Sequence, residues 1–359
     1  MADFYRIWRP LLFALPPEFS HSLSIKALQA GLAGFVPRVD DPPSLNTSLW
    51  GLKFSNPLGM AAGFDKNAEV PGALLRLGFG FTETGTVTPL PQQGNNKPRL
   101  FRLKEDRAII NRLGFNNQGL EKVAGRLERL GAARAGPIGV NIGANKVSSD
   151  RIEDYAVGVS RLMGLADYFV INVSSPNTPG LRELQSKSAL TDILQRTRAV
   201  LREKFPDGED QRPPVLVKVA PDLISKEEEE IAELALGGDI DGLVISNTTI
   251  ARAPGLGSAH RDEAGGLSGQ PLFELSTAAL ADFYRLTKGA VPLIGVGGIS
   301  SGRDAYRKIR AGATLLQLYT ALIYQGPGLL SRIKTELADC LEADGFKRIG
   351  DAVGADHLT

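Results

Sequence analysis

Cysteine and histidine are scarce in this sequence of 359 residues, which contains one cysteine and three histidines. The lone Cys340 excludes an internal disulfide framework and a cysteine-based metal cluster. His21, His260 and His357 provide very little material for a multi-histidine zinc site or a histidine-based catalytic triad. We therefore predict that the protein holds no metal centre.

Strong net charge and long apolar runs are absent as well. The 41 basic and 40 acidic residues leave a net charge of +1, so nothing indicates a surface for nucleic acid. No uninterrupted apolar run approaches the roughly 18 residues of a membrane-spanning helix. The first residues also lack the pattern of a secretory signal peptide.

The pattern that is present is an alternation of short apolar runs with helical segments. Most of the runs are too apolar for a sheet with one wet face, which favours parallel strands covered by helices. Eight such units over residues 41–349 predict a (β/α)₈ TIM barrel, with a doubly wound sheet as the structural alternative. The predicted strands are residues 58–61, 79–82, 138–142, 168–173, 215–219, 242–246, 293–296 and 315–318.

Three connections are longer than a plain barrel needs. They span residues 88–119, with a possible hairpin around 99–112, then 174–187 and 248–270. All three follow the carboxyl ends of predicted strands, where barrel enzymes build their active sites. We therefore expect these loops to carry function.

Residues 1–40 do not fit the barrel pattern. Apolar and aromatic residues crowd the segment before Pro16-Pro17, together with Arg6 and Arg9, and a second helical pattern follows from Glu18 to Gly31. Two short amphipathic helices of this kind could lie in a membrane interface or cap the bottom of the barrel. Residues 350–359 are expected to form a frayed C-terminal tail.

Glycines after the seventh predicted strand indicate a phosphate site. Gly295, Gly297 and Gly298 allow the backbone to approach a ligand, and the helix opening at Ser300-Ser301 directs free N–H groups the same way. TIM barrels frequently bind phosphate at this position. Glycines also mark ordinary tight turns, but the position makes FMN a candidate cofactor.

Two lysines lie at the ends of other predicted strands, and four asparagines come from different loops. A lysine buried at a strand end requires an anionic partner, and Lys66 and Lys218 are candidates either for a flavin site or for structural ion pairs. Several convergent amides suit a planar, imide-bearing ring, although any one asparagine can simply form a turn. The asparagines are Asn111, Asn172, Asn177 and Asn247.

Ser175 lies in a constrained Ser-Ser-Pro-Asn-Thr loop after the fourth predicted strand. A serine hydroxyl is a poor base unless a hydride leaves in concert or a relay removes its proton. Taken alone, Ser175 is best interpreted as a loop hydroxyl. No histidine follows a predicted strand to act in its place.

Four segments together resemble the class 2 dihydroorotate dehydrogenases, the membrane-associated family that reduces quinones. They are Ala-Ala-Gly-Phe-Asp-Lys (61–66), Asn-Arg-Leu-Gly-Phe-Asn (111–116), Asn-Val-Ser-Ser-Pro-Asn-Thr (172–178) and Gly-Val-Gly-Gly-Ile (295–299). The third segment is the most specific, and the resemblance covers the whole chain, including the N-terminal helices.

The resemblance implies that the protein oxidises (S)-dihydroorotate to orotate with FMN and then reduces a ubiquinone-type quinone, as part of pyrimidine biosynthesis. It implies that Ser175 removes the C5 proton and that Thr178 and Phe115 flank the path by which the proton leaves. The implied FMN contacts are Ala62, Gly63, Phe64, Asp65, Lys66, Thr86, Asn141, Asn172, Lys218, Ser246, Gly269, Gly298, Tyr319 and Thr320. The implied substrate contacts are Lys66, Asn111, Arg112, Leu113, Gly114, Phe115, Asn172, Asn177, Asn247 and Thr248. The residues implied for the quinone tunnel are His21, Arg102 and Tyr319.

The soluble class of this family uses cysteine as its base and lacks the helix pair. The serine at position 175, with Cys340 far away, therefore favours the membrane-associated class. The resemblance then makes residues 1–40 a membrane anchor and quinone funnel. We expect a monomer or weak oligomer, bound peripherally to the cytoplasmic side of the inner membrane. The alternatives are a soluble fumarate- or NAD-linked dihydroorotate dehydrogenase, another FMN-dependent pyrimidine reductase, and a non-catalytic sensor of a phosphate-bearing ligand.

Overall fold

The strands of the protein are short and mostly buried on both faces. The computed structural model describes residues 5–36, 40–131, 134–206 and 212–358, and the side chains of Arg6 and Phe35 fall outside that description. Phe4, which the sequence pattern assigns to the first helix, lies outside it as well. The strands are β1 (Thr47–Leu49), β2 (Leu52–Phe54), β3 (Leu58–Met60), β4 (Phe81–Val87), β5 (Leu100–Leu103), β6 (Ala108–Asn111), β7 (Ile138–Ile142), β8 (Tyr168–Asn172), β9 (Val215–Val219), β10 (Gly242–Ile245), β11 (Gly266–Gly269), β12 (Leu293–Val296) and β13 (Leu315–Leu318).

Eight of these strands form a closed parallel barrel in the order β3, β4, β7, β8, β9, β10, β12, β13, with β13 pairing back to β3. All eight predicted strands are present in it, and the predicted (β/α)₈ fold is confirmed. Closure rules out the doubly wound sheet, which has open edges. The second barrel strand begins at Phe81 and continues to Val87, later and longer than predicted.

Helices surround the barrel because each presents one apolar stripe to the strands. In the seventh β/α unit, for example, Ser301 accepts a hydrogen bond from Asp304 N, and Ala305 and Ile309 are buried. The hydroxyl supplies an acceptor that the first turn of any helix lacks. The helices are α1 (Tyr5–Ala14), α2 (Pro17–Gln29), α3 (Pro71–Leu77), α4 (Leu120–Leu130), α5 (Arg151–Leu162), α6 (Lys187–Lys204), α7 (Ser225–Leu236), α8 (Phe273–Thr287), α9 (Gly302–Arg310), α10 (Thr320–Gln325) and α11 (Leu329–Ala343).

The hairpin of β1 and β2 closes the N-terminal end of the barrel, where Phe54 packs against Phe81 and Trp50 donates to the carbonyl of Asp241. A second antiparallel sheet, here called the cap sheet, covers the opposite end. It consists of β5, β6 and β11. Its β5–β6 hairpin confirms the one predicted around residues 99–112. The third strand comes from the long loop after the sixth barrel strand, so the cap sheet joins two of the three predicted long loops.

Helices α1 and α2, here called the helix pair, lie beside the cap sheet at the C-terminal end of the barrel. Tyr5 Oη donates to Ile323 O at 2.6 Å, and Arg9 Nη1 donates to Tyr324 O at 3.1 Å. The alternative of a helical cap on the barrel bottom is therefore wrong for the described residues. No helix in the described part of the chain combines the length and apolarity that crossing a bilayer requires.

The C-terminal residues are ordered against the barrel helices as far as residue 358. Two short 3₁₀ turns, Ile349–Ala352 and Ala355–His357, end the described chain. Ala352 is buried, the His357 ring stacks on Tyr284, and Gly354 N donates to Ile309 O. The expectation of a frayed tail is wrong, because these contacts fix the segment to α8 and α9.

Candidate active site

A cavity opens at the C-terminal end of the barrel, between the strand ends and the cap sheet. Most of the residues implied by the resemblance line it, although they come from nine separate segments of the sequence. These are Ala62, Gly63, Lys66, Thr86, Asn111, Leu113, Gly114, Phe115, Asn172, Ser175, Asn177, Lys218, Ser246, Asn247, Thr248, Gly269, Gly298, Tyr319 and Thr320.

Seven other implied residues do not form its wall. They lie behind the lining or beside it: Phe64, Asp65, Asn141, Arg112, Thr178, His21 and Arg102. The Arg112 guanidinium pairs with Glu263 at 2.7 Å and lies over the ring of Phe101.

Asp65 is buried and serves the turn that follows β3. Its carboxylate accepts hydrogen bonds from Asn67 N, from Glu69 N at 2.8 Å and from Val70 N at 2.9 Å. Burial raises the pKa of the Asp65 carboxyl, against the opposing effect of these three donors. The side chain therefore holds the backbone beneath Lys66.

Two ammonium groups enter the cavity without a counter-ion in direct contact. Burial lowers the pKa of Lys218, and the charge of Glu83 opposes this shift. The pKa of Lys66 falls to about 8, chiefly because the group is desolvated, with Glu18, Asp65 and Glu69 opposing the shift and Arg99 adding to it. Throughout the described residues, neither ammonium has a hydrogen-bond or ion-pair partner within contact distance. Unpaired buried cations favour an anionic ligand in this cavity.

The four predicted asparagines belong to connected side-chain networks. Asn172 Nδ2 donates to Thr86 Oγ1 at 2.9 Å and to Asn141 Oδ1 at 3.0 Å, and Asn247 Nδ2 donates to Asn172 Oδ1 at 3.3 Å. Asn177 Nδ2 donates to Asn111 Oδ1 at 3.1 Å. Because neighbours fix their orientation, these amides present a preorganised set of donors and acceptors.

Glu83 anchors the network from inside the barrel. Its carboxylate accepts hydrogen bonds from Asn141 Nδ2 at 2.8 Å and from Gln317 Nε2 at 2.5 Å. The carboxylate also supplies the negative charge that Lys218 senses. Gln317 lines the cavity but was missed by the sequence reasoning. The available signal was an amide inside the otherwise apolar run Leu315–Leu318.

Ser175 lies in the wall of the cavity. The residue is 6% exposed, and its Oγ accepts a hydrogen bond from Asn177 N at 3.3 Å. Nothing in the described part of the chain places a carboxylate, thiolate or imidazole in hydrogen-bond contact with this hydroxyl. Thr178, three residues later, is buried, while Phe115 lines the cavity.

An aromatic cluster connects the cavity to the helix pair. Phe64 lies edge-on to the rings of His21 and Tyr319, with centroids 5.3 and 5.5 Å away. Tyr319 Oη lies 3.4 Å from His21 Nδ1. Burial, reinforced by the positive charge of Lys66, lowers the pKa of His21 to about 3, so its ring is neutral. Arg102 is placed differently, because it donates to the carbonyls of Leu12, Phe13 and Leu15 at the end of α1.

Comparison with known protein sequences matches this chain to relatives that share one description. The family model "Dihydroorotate dehydrogenase" matches residues 44–341. A "Dihydroorotate dehydrogenase (quinone)" of Rhodospirillum rubrum is 57% identical over 357 residues, which cover 99% of this chain and 96% of that protein. A mitochondrial protein of the same description from Oryza sativa subsp. japonica is 53% identical over 374 residues, covering 97% of this chain and 79% of its own length.

Two solved structures superpose on nearly the whole of this chain. A structure of DHODH from Eimeria tenella in complex with ferulenol superposes with a TM-score of 0.90 at 42% identity, covering 97% of this chain and 99% of that one. The ligand-free form of the enzyme from the same organism gives a TM-score of 0.89 at 44% identity, covering 96% of this chain and all of that one.

Proposed function

This chain belongs to the dihydroorotate dehydrogenase family, and from that membership we propose how its individual residues carry out the reaction. The protein is an oxidoreductase of pyrimidine biosynthesis that oxidises dihydroorotate and uses a quinone as electron acceptor.

We propose FMN as the cofactor. The residues fit it in two respects: two buried ammonium groups, Lys66 and Lys218, have no counter-ion in contact among the described residues, and Gly297 and Gly298 hold a positive φ beside the cavity. The buried ammonium groups favour an anionic group, and the two glycines allow backbone N–H groups to approach such a group closely. When bound, FMN would accept the hydride that leaves C6 of dihydroorotate.

We propose that the asparagine networks and Thr248 bind the dihydroorotate ring. An imide presents carbonyl and N–H groups in one plane, and side-chain amides can match both. Asn111 and Asn177 face the cavity from the cap sheet and the loop after β8, whereas Asn172 and Asn247 lie at strand ends. The Lys66 ammonium would attract the carboxylate of the substrate.

Ser175 is the proposed catalytic base, and the observation that carries the proposal is its hydroxyl in the cavity wall, with no stronger base in contact in the part of the chain that the structure describes. Its Oγ would remove the C5 proton as the hydride leaves C6, since a neutral hydroxyl accepts a proton only when the two bonds break together. Phe115 and buried Thr178 would flank the path that carries the proton from Ser175 to water.

We infer that the quinone approaches through the helix pair, past His21, Phe64 and Tyr319. Arg102 would support this route by fixing the end of α1. The pair exposes Ile7, Trp8, Leu11, Phe19 and Leu23, which suit an interfacial position at a lipid surface. We propose a peripheral position on the cytoplasmic side of the inner membrane.

The test is anaerobic mixing of the purified protein with dihydroorotate while the flavin absorbance is followed. We expect Ser175→Ala to retain its yellow cofactor but to lose flavin reduction by about 100-fold or more, the scale of a lost general base. Ser268→Ala, a second serine of the cavity wall, is the control and should stay near the wild-type rate. Rapid bleaching in Ser175→Ala would remove the proposed base. A colourless wild-type protein would favour the phosphate-ligand sensor, and reoxidation by fumarate or NAD rather than quinone would favour a soluble dehydrogenase.

A further inference from the structure

Arg182 binds two active-site loops at once. It begins the 3₁₀ turn Arg182–Gln185, in the loop after β8. Its Nε donates to Ser174 O at 3.2 Å, and its Nη2 donates to Thr248 O at 3.2 Å. The first carbonyl belongs to the residue before Ser175, and the second belongs to the proposed substrate residue itself.

The remaining edge of the guanidinium pairs with Asp222, whose Oδ2 lies 2.9 Å from Arg182 Nη1. Both side chains are largely buried, with 24% and 15% of their surfaces exposed. Asp222 also accepts hydrogen bonds from Thr249 Oγ1 and from Ile250 N. The carboxylate therefore ties the loop after β9 to the loop that carries Thr248.

The turn that holds Arg182 is itself anchored to the barrel. Gln185 is buried, and its Oε1 accepts a hydrogen bond from Ala220 N at 2.9 Å, at the end of β9. The base of the guanidinium is consequently fixed relative to the strands, and so are the carbonyls it binds.

Ser174 receives a second constraint from the opposite side. Its Oγ donates to Asn172 Oδ1 at 3.1 Å and accepts from Asn247 Nδ2 at 2.9 Å. With its carbonyl held by Arg182, the residue before Ser175 is fixed at both its main chain and its side chain. Among the described residues, by contrast, only the hydrogen bond from Asn177 N locates the Ser175 hydroxyl.

We propose that Arg182, held by Asp222, is a positioning residue that sets the distance between the Ser175 hydroxyl and the substrate bound beside Thr248. The inference rests on the proposed function, because it takes Ser175 as the base and Thr248 as a substrate contact. Arginine suits this role since its planar fork donates in several fixed directions, which an ammonium cannot reproduce.

The experiment compares the two half-reactions separately in the holoenzyme. Anaerobic stopped-flow measures flavin reduction by dihydroorotate at increasing concentrations, and a second mixing measures reoxidation by a short-chain quinone. We expect Arg182→Gln to lower the limiting rate of flavin reduction by roughly 10- to 100-fold, the cost of a displacement near 1 Å, with reoxidation unchanged. Arg182→Lys should fall between this variant and the wild type, because an ammonium can keep the ion pair but not both carbonyl contacts.

Arg151→Gln is the matched control. Arg151 binds the same loop farther from the serine, where its Nη1 donates to Pro179 O at 2.9 Å. This variant should reduce its flavin at the wild-type rate.

Three results would overturn the positioning role. They are wild-type flavin reduction in Arg182→Gln, an equal slowing of both half-reactions, and an equal effect in Arg151→Gln. If Arg182→Gln fails to fold, Arg182→Lys decides the question by the same comparison. Flavin in the wild-type protein that dihydroorotate does not reduce would instead overturn the proposed function, and this inference with it.

Discussion

Replacing Glu18 with glutamine should loosen the helix pair from the cap sheet while leaving the cavity lining intact. Glu18 lies in the first turn of α2, and its carboxylate accepts hydrogen bonds from Arg99 Nε at 2.6 Å and from Arg99 Nη2 at 3.3 Å. The Arg99 side chain is 8% exposed, and its Nη1 also donates to the carbonyls of Gln93 and Asn95. Lys97 Nζ approaches the same carboxylate at 3.2 Å, but its side chain is 70% exposed.

The two partners of Glu18 should contribute very differently. A hydrogen bond to a charged group stabilises by about 1.5–3 kcal/mol, and the 26% exposure of Glu18 reduces this through solvent screening. We therefore expect Glu18→Gln to weaken docking of the helix pair by about 1–2 kcal/mol, which is roughly a 5- to 30-fold rise in the undocked fraction. Lys97→Gln removes only an exposed partner and should cost roughly 0–0.5 kcal/mol.

Hydrogen exchange of the α2 backbone amides measures this directly, because exchange there reports local opening of the helix pair. Glu18→Gln should speed exchange in residues 17–29 by the factor given above and should lower quinone turnover, while flavin reduction by dihydroorotate persists. Unchanged α2 exchange in Glu18→Gln, or equal acceleration in Lys97→Gln, would refute the reasoning.

The same contact has a defined pH dependence. Burial alone would raise the pKa of Glu18, but the hydrogen bonds and charges of Arg99 and Lys97 outweigh it and hold this pKa below its ordinary value of 4.5. Because the docked state lowers the pKa, the stabilisation is complete above pH 4.5 and is lost as the pH falls through the lower, docked value. Exchange in α2 should accelerate over that acidic range in the wild type, and an identical pH profile in Glu18→Gln would contradict this assignment.

Two further predictions concern the cavity and its support. Lys218→Met removes a buried cation without removing volume, so we expect the dissociation constant for FMN to rise by about 10- to 100-fold. Fluorescence titration of the folded apoprotein with FMN measures it. An unchanged dissociation constant would exclude a role for the ammonium. Asp65→Ala leaves the N–H groups of Glu69 and Val70 without their acceptor and should lower the free energy of unfolding by about 1–3 kcal/mol in denaturant titrations. An unchanged denaturation midpoint would show that water replaces the carboxylate.

The barrel was predictable because each of its strands is a short apolar run between helical segments, a pattern of local sequence. The cap sheet was only half predictable. Its β5–β6 hairpin is local, but β11 lies more than 150 residues away and pairs Gly266 with Asn111. Nothing in Gly266–Gly269 resembles a strand, since glycines disfavour one, and its pairing with the distant β6 strand holds it in that conformation.

The cavity residues were predictable to the extent that strand ends converge in a barrel. Roles that depend on hydrogen-bond partners from other segments of the chain were not predictable. Asp65 and Arg102 lie in or near the matching sequence segments, yet the structure uses one to hold a turn and the other to hold the end of α1. Arg182 was not singled out, because its importance depends on three carbonyl and carboxylate oxygens contributed by separate loops.

The attachment of α1 to α10 imposes an order on the biosynthesis of the protein. Tyr5 and Arg9 leave the ribosome more than 300 residues before Ile323 and Tyr324, whose carbonyls receive them. At roughly 5–20 residues per second, Tyr5 and Arg9 precede these two carbonyls by roughly 15 to 65 s. Throughout that interval α1 lacks its hydrogen bonds to α10, so exposed side chains such as Trp8 can meet a lipid surface or a chaperone before the docked structure is complete.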